Sequence, residues 1–358
     1  MKKTLATIYA TLNTVCLLAG CILVFGFAWK AGTEQTIEVL CALVTGFVFA
    51  PIFHELGHVA LASCAGMEYV YFKAFCFRFV RREGKLKFSF ASPFAADETQ
   101  VIPKRGGNMQ KRAAKYALGG LIFEGIVFFI LLITAILTTV FVKPIYTIWG
   151  LIPYFAYLFL LNAFPLEYTS GKTDALIYRG IKKGTVTEKN MLAAMEIQGQ
   201  LYEGKSFSEI AESNYFDLPQ LCEDEPLFSV MLDLRYRFYL EKEDFTRAAE
   251  CLNRLAQLQM YLPDQEVIKI AAELTYLHSL NKDLDAAEET SKVCRDFLAT
   301  DSAVAKRVLA AYSYAAGKIE AVPVLKAQAE ESLARERIKG LAKFERILLS
   351  RIAEDKMG

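Results

Sequence analysis

The chain has 358 residues, 54% of them hydrophobic, and a formal net charge of +1. That near-neutral balance excludes a protein built to hold polyanions, so no nucleic-acid partner is expected. Eight cysteines are scattered without a CxxC pair. This excludes a disulfide frame or a thiolate zinc site and suits a reducing compartment.

The composition is split. Long apolar runs fill residues 1 to about 180, and the rest is ordinary soluble sequence. Lys2 and Lys3 precede the first run, Leu5 to Trp29, which is uncharged throughout. A cleaved signal peptide would have a shorter apolar region, so an uncleaved membrane span is expected. The second span, about Ile37 to Gly66, contains His54-Glu55-Leu56-Gly57-His58. On a helix, positions i and i+4 share a face, so the two imidazoles can grip one metal ion. Glu55, beside the first imidazole, can activate a water. Val39 to Phe53 carries no charge and Val59 to Gly66 continues apolar. Ionisable side chains in such a span are costly unless used. Pro51, one turn earlier, frees a carbonyl; a kink with or without a role in chemistry fits equally.

The connection from Met67 to Lys115 holds eleven Lys and Arg against Glu68, Glu83, Asp97 and Glu98. A basic loop marks the cytoplasmic side, and Lys2 and Lys3 put the N-terminus there too. Within it, Tyr69 to Phe79, a turn at Arg82–Lys85 and Leu86 to Phe90 predict a β-hairpin. Either it offers an edge to an extended peptide or it only sets topology. The third span runs from Ala117 to Val142, with Gly119 and Gly120 allowing close helix approach. Its acid, Glu124, serves a site or reaches the membrane interface. The fourth span is Ile145 to Leu161, and a polar loop then leads to Asp174, a plausible N-cap of the next helix. With no other histidine in this half, a third metal ligand must be a carboxylate or thiolate: Asp174, Glu167 or, remotely, Cys64.

From about Gly184 the sequence reads as soluble and helical. Phe238/Ala249, Tyr276/Ala287 and Ala311/Val322 are each eleven apart. Counting Ala249, Ala287 and Val322, the units recur at 38 and 35 residues. Stacked helix hairpins similar to tetratricopeptide repeats and a non-repeat bundle both fit this period. Either way, this half reads as a binding module. His278, the remaining histidine, reads as structural.

The HExxH sequence in an apolar span, followed by Asn162-Ala163-Phe164-Pro165 and Asp174, resembles the site-2 protease family of intramembrane zinc metalloproteases. The resemblance covers roughly the first half of the chain. It implies a zinc cofactor held by His54, His58 and Asp174, with Glu55 catalytic and Asn162 holding substrate backbone or the oxyanion. It also implies a hairpin near the active site. Two departures stand out. Asp174 lies twelve residues beyond Asn162, as if a few residues were inserted. Where the family often has Gly-Pro-x-x-Asn, this chain has Gly119-Gly120-Leu121-Ile122-Phe123-Glu124.

The fold expected is a mainly α membrane protein: four transmembrane helices with a cytoplasmic β-hairpin loop, then a soluble all-α, helical-hairpin repeat-like domain. The boundary expected is 1–183 and 184–358, with N-terminus and C-terminal domain cytoplasmic, in a bacterial cell membrane. The function expected is hydrolysis of membrane-anchored proteins or signal peptides. Membrane lipid and a protein bound by the helical domain are the other partners. The alternative is an inactive membrane scaffold whose helical domain binds a protein. A metal transporter is disfavoured, since repeated halves are not evident.

Overall fold

The computed structural model describes residues 2–82, 85–168 and 171–352. It is 72% helical and divides into two compact units. The first takes in the chain to Ile102 together with Asn108–Glu188. The second takes in Pro103–Gly107 and the described chain from Lys189.

In the first unit, α1 (Lys2–Ala31) and α2 (Thr33–Cys64) follow each other with only Gly32 between them. Gly32 has φ 140°, a backbone state that side chains disfavour. Helix α2 continues through Pro51 without interruption. After the sheet come α3 (Met109–Ala117), α4 (Gly119–Phe141) and α5 (Tyr146–Ala163). Among the described residues, four stretches are helical, long and apolar enough to cross a membrane: Thr4–Ala31, Thr33–Cys64, Met109–Phe141 and Tyr146–Ala163. Their outer faces are apolar and uncovered, as at Leu23 (72% exposed), Val44 and Phe141. α2 packs against α4 and α5. Gly57 and Gly119 let α2 and α4 touch backbone to backbone, since a Cβ on either would overlap the other helix.

The expected hairpin is half of a larger sheet. β1 (Met67–Ala74), β2 (Phe77–Arg82), β3 (Lys85–Phe90) and β4 (Glu98–Pro103) lie in the order β3-β2-β1-β4. Tyr69 to Phe79 is therefore not one strand. It folds back at Phe75-Cys76, where Phe75 takes φ 53°, and β1 pairs antiparallel with β2 from Tyr71↔Val80 to Ala74↔Phe77. β2 and β3 pair from Phe77↔Phe90 to Arg82↔Lys85. The turn expected between them includes Glu83 and Gly84, which lie outside the described residues. Asp97 pins the return to β4: its Oδ1 accepts from Phe75 N and from Nζ of buried Lys73, each at 2.8 Å. Arg112 on α3 donates to the carbonyls of Ala65 and Gly66, closing the end of α2.

The polar loop after α5 is a second small hairpin, β5 (Glu167–Tyr168) and β6 (Gly171–Lys172). It leads into α6 (Asp174–Lys183). Thr173, not Asp174, is the N-cap: its Oγ1 accepts from Leu176 N at 3.3 Å. Capping demands the position before the first helical residue, so the Asp174 carboxylate is not used as the cap.

The second unit is all-helical among the described residues: part of α7 (Val186–Glu203), a single turn α8 (Ser213–Phe216), then α9 to α16. Three helical hairpins recur. They are α9 (Pro226–Glu241) with α10 (Phe245–Gln257), α11 (Asp264–Leu280) with α12 (Leu284–Val293), and α14 (Ala303–Ala315) with α15 (Ala321–Leu333). The short α13 (Arg295–Leu298) joins the second and third, and α16 (Lys339–Arg351) follows. Each bend places one residue in the left-handed region, Glu243, Lys282 and Gly317. Each also makes the same closing bond, Asp244 N to Tyr239 O, Asp283 N to His278 O and Lys318 N to Ser313 O. These are Schellman closures. They shift the repeat phase read from sequence by one position: buried Ala248, not half-buried Ala249, matches Ala287 and Val322.

Candidate metal centre

The i, i+4 spacing works as expected. His54 and His58 are both buried on one face of α2, with ring centroids 5.1 Å apart. Asp174 at the start of α6 meets them, its Oδ2 lying 3.4 Å from His54 Nε2 and 3.3 Å from His58 Nε2. One donor atom from each of the three lies within 4.8 Å of the others. The twelve-residue separation from Asn162 is absorbed by the β5–β6 hairpin. Thr173 N bonds Leu166 O at 3.1 Å and Thr173 Oγ1 donates to Phe164 O at 2.7 Å, which returns the chain to the end of α5.

The donor set fits a divalent cation. Donors about 2.0–2.1 Å from a tetrahedral centre lie about 3.3–3.4 Å apart, matching both His–Asp separations. Asp174 Oδ2 is buried without a hydrogen-bond partner, which is costly for a carboxylate oxygen with nothing to bind. Both imidazoles also have their far nitrogens engaged. His54 Nδ1 lies 2.9 Å from Glu124 Oε2, and His58 Nδ1 lies 2.9 Å from the Tyr116 carbonyl. Each Nδ1–H can donate there, leaving Nε2 with its lone pair toward Asp174. Gly120 clears the space between: a Cβ there would lie 2.5 Å from His54 Nε2 and 2.6 Å from His58 Nε2.

Glu55 points to the sheet. Thr99 Oγ1 on β4 donates to Glu55 Oε2 at 2.6 Å. The Thr99 carbonyl accepts from the Tyr116 hydroxyl, so Thr99 and Tyr116 link the acid to the support of His58.

His54, His58 and Asp174 thus converge, with Glu55 adjoining. Asn162, expected to hold substrate backbone or the oxyanion, donates one side-chain N–H to Leu158 O at 3.3 Å in its own helix. Glu167 and Cys64, the alternative third ligands, are exposed. Glu124 is fully buried against His54. Its signal was in the sequence, an acid in an apolar run. Thr99 and Tyr116 had none, because nothing local distinguishes a threonine or tyrosine that will meet a residue tens of positions away. No protein-family model, curated protein or solved structure matches this chain.

Proposed function

We propose that the chain is an intramembrane zinc metalloprotease that hydrolyses peptide bonds of membrane-anchored proteins or signal peptides. The observation that carries this reading is the convergence of His54, His58 and Asp174 beside Glu55. The membrane setting is supported by four apolar helices whose outer faces have no protein cover. Such faces would be unstable in water and are suited to lipid. Basic residues of the 67–115 connection, with Lys182 and Lys183, favour a cytoplasmic sheet and a cytoplasmic second unit. A bacterial cell membrane remains the expected location.

Zinc bound here would polarise a scissile carbonyl and make an attacking water easier to deprotonate. Glu55 then takes the water proton on Oε1, since Oε2 is occupied by Thr99, and passes it to the leaving amine. Asn162 would serve substrate backbone through its second amide N–H or its Oδ1, one N–H being held by Leu158 O. A membrane helix has its peptide groups bonded internally, so substrate must unwind. Strand β4 ends the sheet and carries Thr99, so an extended peptide laid along that edge would lie beside Glu55.

The test is cleavage of tagged single-span proteins by the purified chain in liposomes, with zinc content measured in parallel. Glu55→Gln should abolish cleavage and keep the zinc content of wild type. If that variant cleaves at the wild-type rate, the reading is wrong. The second reading, an inactive scaffold, is favoured by one feature. The second unit holds a cleft of about 700 Å³ with Val230, Leu252, Leu255 and Ile270 in its lining, room for a partner's apolar side chains. A scaffold predicts that Glu55→Gln leaves function in cells unchanged.

A further inference from the structure

We propose that Glu124 is a positioning residue that fixes the His54 ring and strengthens its hold on a divalent cation. The proposal rests on the metal-site reading above. Glu124 is 0% exposed on an otherwise uncharged apolar helix. An acid so placed is costly unless it serves a function. Its Oε2 lies 2.9 Å from His54 Nδ1. With the Nδ1 proton held there, His54 presents its Nε2 lone pair toward Asp174.

Three further observations separate this role from that of helix glue. Glu124 Oε1 is buried with no hydrogen-bond partner among the described residues, so the carboxylate is not spent on a wider network. The two histidines are supported unequally. His58 Nδ1 meets a neutral carbonyl, that of Tyr116, while His54 Nδ1 meets a carboxylate. A carboxylate accepts more strongly and makes the far nitrogen a better donor to a metal. Finally, Glu124 lies one turn beyond Gly120, so one face of α4 both clears the space at the two Nε2 atoms and supports His54 from behind.

The experiment is zinc affinity of the full chain in detergent, by competition with a chromogenic chelator, together with thermal unfolding of the metal-free protein. Glu124→Gln keeps size and a hydrogen-bond acceptor but loses charge. It should weaken zinc binding about 10–100-fold while leaving the metal-free unfolding midpoint unchanged. Glu124→Asp, which keeps the charge on a shorter arm, should fall between. The proposal is overturned if Glu124→Gln binds zinc within about two-fold of wild type, which is within ordinary context variation for a lost contact. It is also overturned if the loss of affinity comes with a matching fall in metal-free stability, the mark of a structural role. Wild-type protein that binds zinc no better than His54→Ala would instead overturn the metal-site reading itself.

Discussion

Gly120 shows how a single residue governs the centre. Its hydrogen faces the Nε2 atoms of both imidazoles, and a methyl group would occupy the place where a cation would sit. Gly120→Ala should therefore abolish zinc uptake, read as metal content of the purified chain. Gly26→Ala is the control, since a Cβ there meets nothing within 4 Å, and should change nothing. The cause is steric: the atoms a Cβ would meet are the two imidazole rings themselves, and turning them aside separates the donors. Thr173 matters at the same scale: by taking the capping position it releases Asp174.

Strand β4 is the element that ties the sheet to the chemistry. Its Thr99 supports the Glu55 carboxylate, through Oγ1 to Oε2 at 2.6 Å. Thr99→Val keeps shape and removes that donor. Loss of a hydrogen bond to a charged group costs about 1.5–3 kcal/mol, so cleavage should fall at least about ten-fold. Zinc content should stay at the wild-type level, because none of the three converging donors is touched. A variant that loses zinc would mean that Thr99 acts on the fold. The β5–β6 hairpin works differently: it returns the chain so that α6 starts where Asp174 can reach the imidazoles.

At the scale of the whole molecule, the second unit is joined through a charge buried at its centre. Arg307 on α14 is 0% exposed. It donates to Glu345 on α16 and to Glu273 on α11, each at 2.7 Å, and lies over the Tyr276 ring. Tyr236 on α9 donates to Glu273 at 2.8 Å. Burial would raise both acids. At Glu273 the Arg307 and Arg237 guanidinia prevail and hold it below its ordinary value, while at Glu345 burial prevails. Removing the shared cation strands two buried carboxylates. Arg307→Ala should destabilise this unit by about 3–5 kcal/mol, seen as protease cleavage within 189–352 at lower urea. Unchanged resistance would show that the network contributes specificity without stability.

The chain alone determined the features that depend on short spacing. Apolar run lengths set four helices, and the HExxH spacing set two imidazoles on one face, because a helix repeats every few residues. The charged bends within the helix hairpins were visible for the same reason, although their phase was off by one residue until the closures at Glu243, Lys282 and Gly317 located it. Tertiary structure alone decided what meets across distance. Asp174 reaches His54 and His58 only because a hairpin folds the intervening residues away, Glu124 finds His54 only through the glycine contact of α2 and α4, and Thr99 finds Glu55 only once β4 joins the sheet. Local propensity acts along a few bonds. Which side chains converge depends on how whole elements pack, and nothing in a residue's immediate neighbours records that.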